Sequence, residues 1–407
     1  MNKQLIVRAD TLFNGYEFKK NRSVIIENNR IVDVTGLKKY YNHRGFVTPA
    51  FIDPHSHIGM TRHGEPNEER EMNDKTNHFT PHANPIDNIK FDDRAFFEAV
   101  TNGVLYSCAL NGSGCLMGSR AMVIRNFAPD RRTAEFADDG YKIALGFNPK
   151  NHNSGLPGRP DIRSSLYLEL QDRFNAVLAK NKQAEIKKEL ALIVLSQKKS
   201  GLSDREYELS ENLVKLEYEA ALTPTEKALN DLLSGRRRAR VHVHMTDDVI
   251  FLIELARKYN LRVSAEHAGD ISDPAIFSAL RENNIPVVYG PIDALAYKTE
   301  LKHKTPRNIA ALVESGVFYG FMSDHPITQA ANLRLALQHF LRFGKMDNAG
   351  ALSIITQKNA QILDIDDQLG TIEPGKLASL VVWNGDPLHL SSWPTVVMGE
   401  GRVLTMA

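Results

Sequence analysis

Short runs of alternating apolar and polar residues occupy both ends of the chain, and a longer strand-then-helix rhythm fills the middle. Near the start, LIVR and SVIIENNRIVDV read as β segments, the second broken at Glu27-Asn28-Asn29-Arg30, which is a hairpin signal. At the far end, GTIEPGK is a turn cluster followed by LASLVVWNGDP, and residues 395–405 read as strand, turn, strand around Gly399-Glu400-Gly401.

The central rhythm is clearest from residue 240 onward. A β run at 241–244 is followed by Thr246-Asp247-Asp248, whose acids suit the positive end of a helix, and then by an apolar stripe at Leu252, Leu255, Ala256 and Tyr259. The next strand is 261–267. Ser272-Asp273-Pro274 opens another helix, and 286–290 and 317–323 are again strands. Earlier candidates are 50–54, 103–110, 121–125 and 141–146, giving eight strands in all. Strands alternating with helices predict an α/β protein with a parallel sheet, and residues 49–364 leave about the 250 residues of a (β/α)8 TIM barrel. They do so once a charged helical insertion at 161–235, with capping boxes at Ser203/Glu206 and Thr223/Glu226, is set aside.

Composition narrows the class. The chain has 407 residues with Lys+Arg 50 against Asp+Glu 49, a formal charge of +1, which gives no bulk attraction to nucleic acid or an anionic membrane. Two cysteines, Cys108 and Cys115, cannot build a disulfide framework or a thiolate metal site. No signal-peptide core and no apolar run near the ~18 residues of a spanning helix is present, so a cytoplasmic protein with a small-molecule substrate is expected, and a homo-oligomer is compatible with it.

The 14 histidines matter more. His55 and His57 close the apolar run FIDPHSH, and their spacing puts both imidazoles on one face of a strand. Three later strands end in His244, His267 and Asp324. On a parallel barrel such ends meet at one rim, and nitrogen and oxygen donors gathered there suit a divalent metal. His242 shares a strand face with His244 and is a rival for its place.

The string VTPAFIDPHSH and the tail GTIEPGKLASLVVWNGDPL resemble the first-strand signature and the carboxyl-terminal return of the amidohydrolase superfamily. ALGFNPK (144–150), VHVHMTDD (241–248), AEHAGD and SDHP are most similar to its imidazolonepropionase-related members. The resemblance implies a small β-sandwich from residues 1–48 and 365–407 beside the barrel of 49–364. It also implies a hydrolase of carbon–nitrogen bonds other than peptide bonds, acting through a metal-activated water. His55, His57, His244 and Asp324 match the ligands, with His267 a further candidate, and zinc is the expected ion, iron and manganese being alternatives. Asp324 would move the proton from water to the leaving nitrogen, while His267, if not a ligand, would stabilise the oxyanion. Asp53 would orient His55 or only cap the strand end, and His242 would stand behind the ligands or face substrate.

One departure stands out. Phe147 occupies the place of a glutamate in the related ALGENPK motif, and neither Lys142, early on its strand, nor Lys150, beyond Pro149, is well placed to supply a bridging lysine carbamate. One ion is therefore expected rather than two, and the alternative function is a catalytically impaired barrel that only binds metal or ligand. Three weaker features complete the reading. Gly112-Ser113-Gly114 with Gly118-Ser119-Arg120 resembles a family loop in which Arg120 could meet a substrate carboxylate. Residues 67–85, with His63, His78 and His82 in or near them, read as a solvated loop, and Arg236 to Arg240 reads as an exposed basic loop.

Overall fold

In a computed structural model, which describes residues 4–62, 65–219 and 222–406, the N-terminal alternation becomes β1 (Gln4–Phe13), β2 (Phe18–Glu27), β3 (Arg30–Gly36) and β4 (His43–Pro49). Eight further strands follow: β5 (Phe51–Ser56), β6 (Val104–Ala109), β7 (Met117–Arg125), β8 (Glu135–Ala144), β9 (Arg238–Val243), β10 (Val263–His267), β11 (Val287–Tyr289) and β12 (Tyr319–Phe321). The C-terminal β13 (Leu380–Trp383), β14 (Pro394–Gly399) and β15 (Arg402–Met406) return to the first group.

Strands from the two chain ends make one seven-stranded mixed sheet in the order β15-β14-β13-β4-β1-β2-β3. Both hairpins expected from the sequence are there. Asn28 (φ 56) turns β2 into β3, and Glu400 (φ 49) with Gly401 (φ 77) supplies the two left-handed residues of a tight turn between β14 and β15. The sheet rolls over its own core of Val7, Val24, Ile31, Val47, Leu380 and Val396. Its outer strand reaches back to the segment before β13 through Ile31 N–H to Lys376 O at 2.9 Å.

The other sheet, β12-β11-β10-β9-β8-β7-β6-β5, is the nearly closed barrel. β5 and β12 meet at its seam, where Asp324 N–H donates to His55 O at 3.1 Å and His57 N–H to His325 O at 2.8 Å. All eight strands correspond to those expected, but the sheet is not wholly parallel. β7 runs antiparallel to both β6 and β8. The connection 110–116 is too short for the crossover a parallel neighbour requires, so the chain turns back as a hairpin.

Helices α1 (Arg94–Thr101), α2 (Arg131–Ala134) and α3 (Phe147–Asn153) precede three that fill the interruption: α4 (Arg163–Gln197), α5 (Asp204–Glu219) and α6 (Pro224–Leu233). α4 buries Leu166, Leu170, Phe174 and Val177, all in its first half, so the remainder stands away from the barrel with α5. Thr223 and Glu226 form their capping box, as do Ser203 and Glu206. α7 (Thr246–Tyr259) and α8 (Pro274–Glu282) start where the acidic and proline signals placed them. Among the described residues no helix is long and apolar enough to cross a membrane.

Candidate metal centre

The ends of β5 and β12 bring three of the expected residues together. His57 Nε2 lies 3.2 Å from Asp324 Oδ1, and His55 Nε2 lies 3.7 Å from the same oxygen. Each imidazole is oriented from behind. His57 Nδ1 donates to Leu110 O at 2.7 Å, and His55 Nδ1 meets Glu266 Oε2 at 2.8 Å. An acceptor on Nδ1 fixes the tautomer and leaves the Nε2 lone pair directed into the site.

A second group, His242, His244 and His267, lies against the first, with the His55 and His267 ring centroids 5.1 Å apart. His267 Nδ1 donates to Gly290 O at 3.0 Å, which leaves its buried Nε2 without a hydrogen-bond partner. His244 Nδ1 is likewise buried and unpartnered. Both ring nitrogens of His242 are engaged, Nδ1 by Ser113 Oγ at 2.8 Å and Nε2 by the Asn148 amide at 3.3 Å. Two orphaned imidazole nitrogens in one dry pocket are costly unless something binds them, and a divalent cation satisfies both. Burial drives His55, His242, His244 and His267 well below the usual histidine range, and the neutral imidazole is the ligating form. The donor set therefore fits a metal, and His244 rather than His242 has the free nitrogen.

The backbone is strained where the strands end. His267 (φ 75), Ala268 (φ 52) and Asp324 (φ 53) are all in the left-handed region, unusual for residues other than glycine and frequent at functional sites. In β10 this break in alternation lets adjacent Glu266 and His267 both reach the centre.

Several expectations change. Lys142 is not early on its strand. β8 starts at Glu135 and ends at Ala144, so Lys142 stands near its carboxyl end, fully buried, with Nζ 3.1 Å from His55 Nε2. Burial pushes its ammonium down to about 8. The premise for a single ion falls with that placement. Phe147 opens α3, donates its N–H to Glu300 Oε2 at 2.8 Å, and is absent from the cavity wall, so its lack of a donor atom removes nothing from the centre.

Arg120 does not meet the cavity. Ser119 points inward on β7, so Arg120 points outward, where it pairs with Asp138. Asp53 does not orient the His55 ring: its carboxylate takes the Ser323 N–H at 3.1 Å and the Ser323 hydroxyl, tying β5 to β12, and burial raises it to about 7. Glu266 performs the expected task instead.

The arginine run is not an exposed loop. Only its first two residues lie before β9, Arg236 at the surface with Asp231 and Arg237 half-buried with Asp138. Arg238 and Arg240 lie in β9, and Arg240 is wholly buried, paired with Asp139 at 2.7 Å and Glu266 at 3.1 Å. Glu266→Ala would leave His55 without its acceptor and the Arg240 charge half-compensated, so urea denaturation should show a loss of about 3–5 kcal/mol.

A cavity of about 250 Å³ opens over the two histidine groups. Much of 67–85 is exposed, as expected of a solvated loop, but Met72 and Asn73 are in the cavity wall, and Asn73 Oδ1 accepts the Gly114 N–H at 2.7 Å. A Cβ at Gly112 or Gly114 would come within 3 Å of the Asn73 side chain, so both positions need glycine. His78 is buried against Glu169 at 3.0 Å, His82 is outside beside Thr225, and His63 lies outside the described residues. Sequence reasoning missed Glu266, Ser113, Lys298 and Lys304. Glu266 alone carried a local signal, as a charged residue inside an otherwise apolar strand.

Comparison with known proteins agrees with this geometry. The Amidohydrolase family profile matches residues 214–405. Amidohydrolase tasK of Hapsidospora irregularis is 24% identical over 369 residues, covering 87% of this chain and 36% of that protein. An imidazolonepropionase of Legionella pneumophila is 24% identical over 130 residues, 32% of this chain and 31% of its own. This chain thus spans about a third of the curated relatives it matches. The crystal structure of an amidohydrolase from Thermotoga maritima superposes with a TM-score of 0.85 at 27% identity, over 99% of this chain and 100% of that one. From the strand-end histidines to the whole-chain superposition the observations converge on a likeness to the amidohydrolase superfamily, with imidazolonepropionases among the relatives.

Proposed function

We propose that the protein is a metal-dependent hydrolase that adds water across a carbon–nitrogen bond of a small amide, lactam or amidine. The observation that carries this reading is the pair of unpartnered nitrogens, His244 Nδ1 and His267 Nε2, facing His55, His57 and Asp324 with Lys142 between the groups. His55, His57 and Asp324 would hold one divalent ion, His244 and His267 a second. Lys142, once its amine has taken up carbon dioxide as a carbamate and released a proton, would add oxygens to this ligand set. When bound, such ions supply Lewis acidity, which polarises a carbonyl and makes water nucleophilic near neutral pH.

The chain's own groups do the rest. Asp324 is positioned to accept the proton of the attacking water and return it to the leaving nitrogen, so the amine departs neutral. As a ligand His267 would no longer be free to stabilise the oxyanion; His242, held through both ring nitrogens by Ser113 and Asn148, would face substrate from the cavity wall. A disabled barrel, inferred from Phe147 alone, loses its basis because that residue is off the cavity.

The test is a panel of cyclic ureas, lactams, N-acyl amino acids and aminopyrimidines, assayed with protein supplied with zinc, manganese or iron. Amine or ammonia release that a chelator abolishes and added metal restores is the expected result. No turnover of any class with a fully metallated protein would contradict the proposal.

A further inference from the structure

The wall of the cavity carries an excess of positive charge that the hydrolytic machinery does not use. Lys298 and Lys304, both on the long loop after β11, line it, and Asp324 is the sole carboxylate among its described lining residues. Lys298 is buried and forms a long ion pair, 3.6 Å, with Glu300 Oε1, the carboxylate's other oxygen accepting the Phe147 N–H. The Lys304 ammonium donates to Ala294 O at 2.8 Å and forms no ion pair among the described residues. Among the described residues Lys298 has only this one distant counter-charge and Lys304 none, and both half-desolvated ammonium groups stand beside a centre built for divalent cations. A neutral or cationic substrate would leave that charge unmatched, and an anionic one would match it.

We infer that Lys298 and Lys304 form an anion subsite, and that the substrate is an amide bearing a carboxylate, of the N-acyl amino acid class, an inference that rests on the hydrolase reading. The rim supports the amino-acid side of that assignment. Leu295, Tyr297 and Ile327 line the cavity and are 83%, 67% and 44% exposed, an apolar edge that suits an aliphatic side chain. Burial also lowers the Lys304 ammonium to about 8, as expected for a cation awaiting its counter-charge. Hydrolysis in this site adds water across the acyl C–N bond. The hydroxyl goes to the acyl carbon and the proton to the amine, so a free amino acid leaves with its carboxylate still on the lysines.

The test uses N-acetyl-L-leucine and N-acetyl-L-leucinamide, which differ only in that charge. Acetate release is followed with the metal-supplied full chain, and binding of both compounds to the Asp324→Asn protein is measured by calorimetry. The acid should be preferred at least tenfold in kcat/KM and in affinity. Lys304→Met and, separately, Lys298→Met should each reduce that preference at least tenfold, while Lys304→Arg should keep it. Lys304 is half-buried, so its variants remain informative if Lys298→Met fails to fold. Equal handling of acid and amide, failure to bind the acid, or an undiminished preference in Lys304→Met overturns the subsite. Cleavage of the amide without a preference for the acid would leave the hydrolase reading standing and the subsite wrong. Lysine-dependent binding of the acid without cleavage of either compound would do the reverse.

Discussion

Asp324→Asn is expected to lower kcat by about 10²–10⁴-fold, the usual worth of a positioned acid–base group, without unfolding the protein. The structure explains why this substitution separates chemistry from stability. Asp324 sits at φ 53, and asparagine is among the few residues that share aspartate's tolerance of the left-handed region. An alanine there would strain the backbone as well as remove the carboxylate. Its Oδ1 neighbours are the imidazoles of His57 at 3.2 Å and His55 at 3.7 Å, and an amide oxygen can occupy the same position. What the amide cannot do is accept a proton from water and release it to a leaving amine. Turnover of an identified substrate is the measurement, with circular dichroism and the denaturation midpoint as controls. Turnover equal to that of the unaltered protein would remove Asp324 from its role.

Lys142→Met should have the second largest effect: a fall in kcat of about 10²-fold or more, with loss of bound metal. Methionine is close to lysine in length and fills the same interior space, so packing is retained. It also removes a cation whose burial is itself unfavourable, since the ammonium is pushed down to about 8 at a site with no exposed surface. The denaturation midpoint of the metal-free protein should therefore hold or rise while metal binding weakens. A lysine that only packed the barrel would give the opposite pattern, with metal content and turnover kept. Comparing metal content with and without added bicarbonate isolates the carbamate, because only the unaltered protein has an amine there to carboxylate.

The centre was legible where chemistry and strand periodicity coincide. His55 and His57 are two apart on a strand, and His244, His267 and Asp324 each follow a recognisable β run, so their convergence on one rim follows from barrel topology. Lys142 was misplaced because β8 begins at Glu135, well before the apolar segment that signals it, which moves the lysine from the start of the strand to its end. Glu266 stood out as a charge within a strand segment and Arg240 as one at the edge of another, but their task there was not legible. A charged residue in a strand normally marks a solvated face, and only the closed barrel reveals that these two neutralise each other inside, with Glu266 also reaching His55. The inverted β7 was implicit in the short connection 110–116, which has no room for a crossover helix. Lys298 and Lys304 lie on a loop without period, and nothing local tells which way such lysines point.

The central claim is that two groups of buried ligands, joined at Lys142, hold divalent metal for hydrolysis. The most direct measurement is elemental analysis of the protein, purified after metal-supplemented expression and desalted. Two tightly held divalent ions per chain are predicted. A protein that retains none under these conditions, or one ion whose content Lys142→Met leaves unchanged, would contradict it.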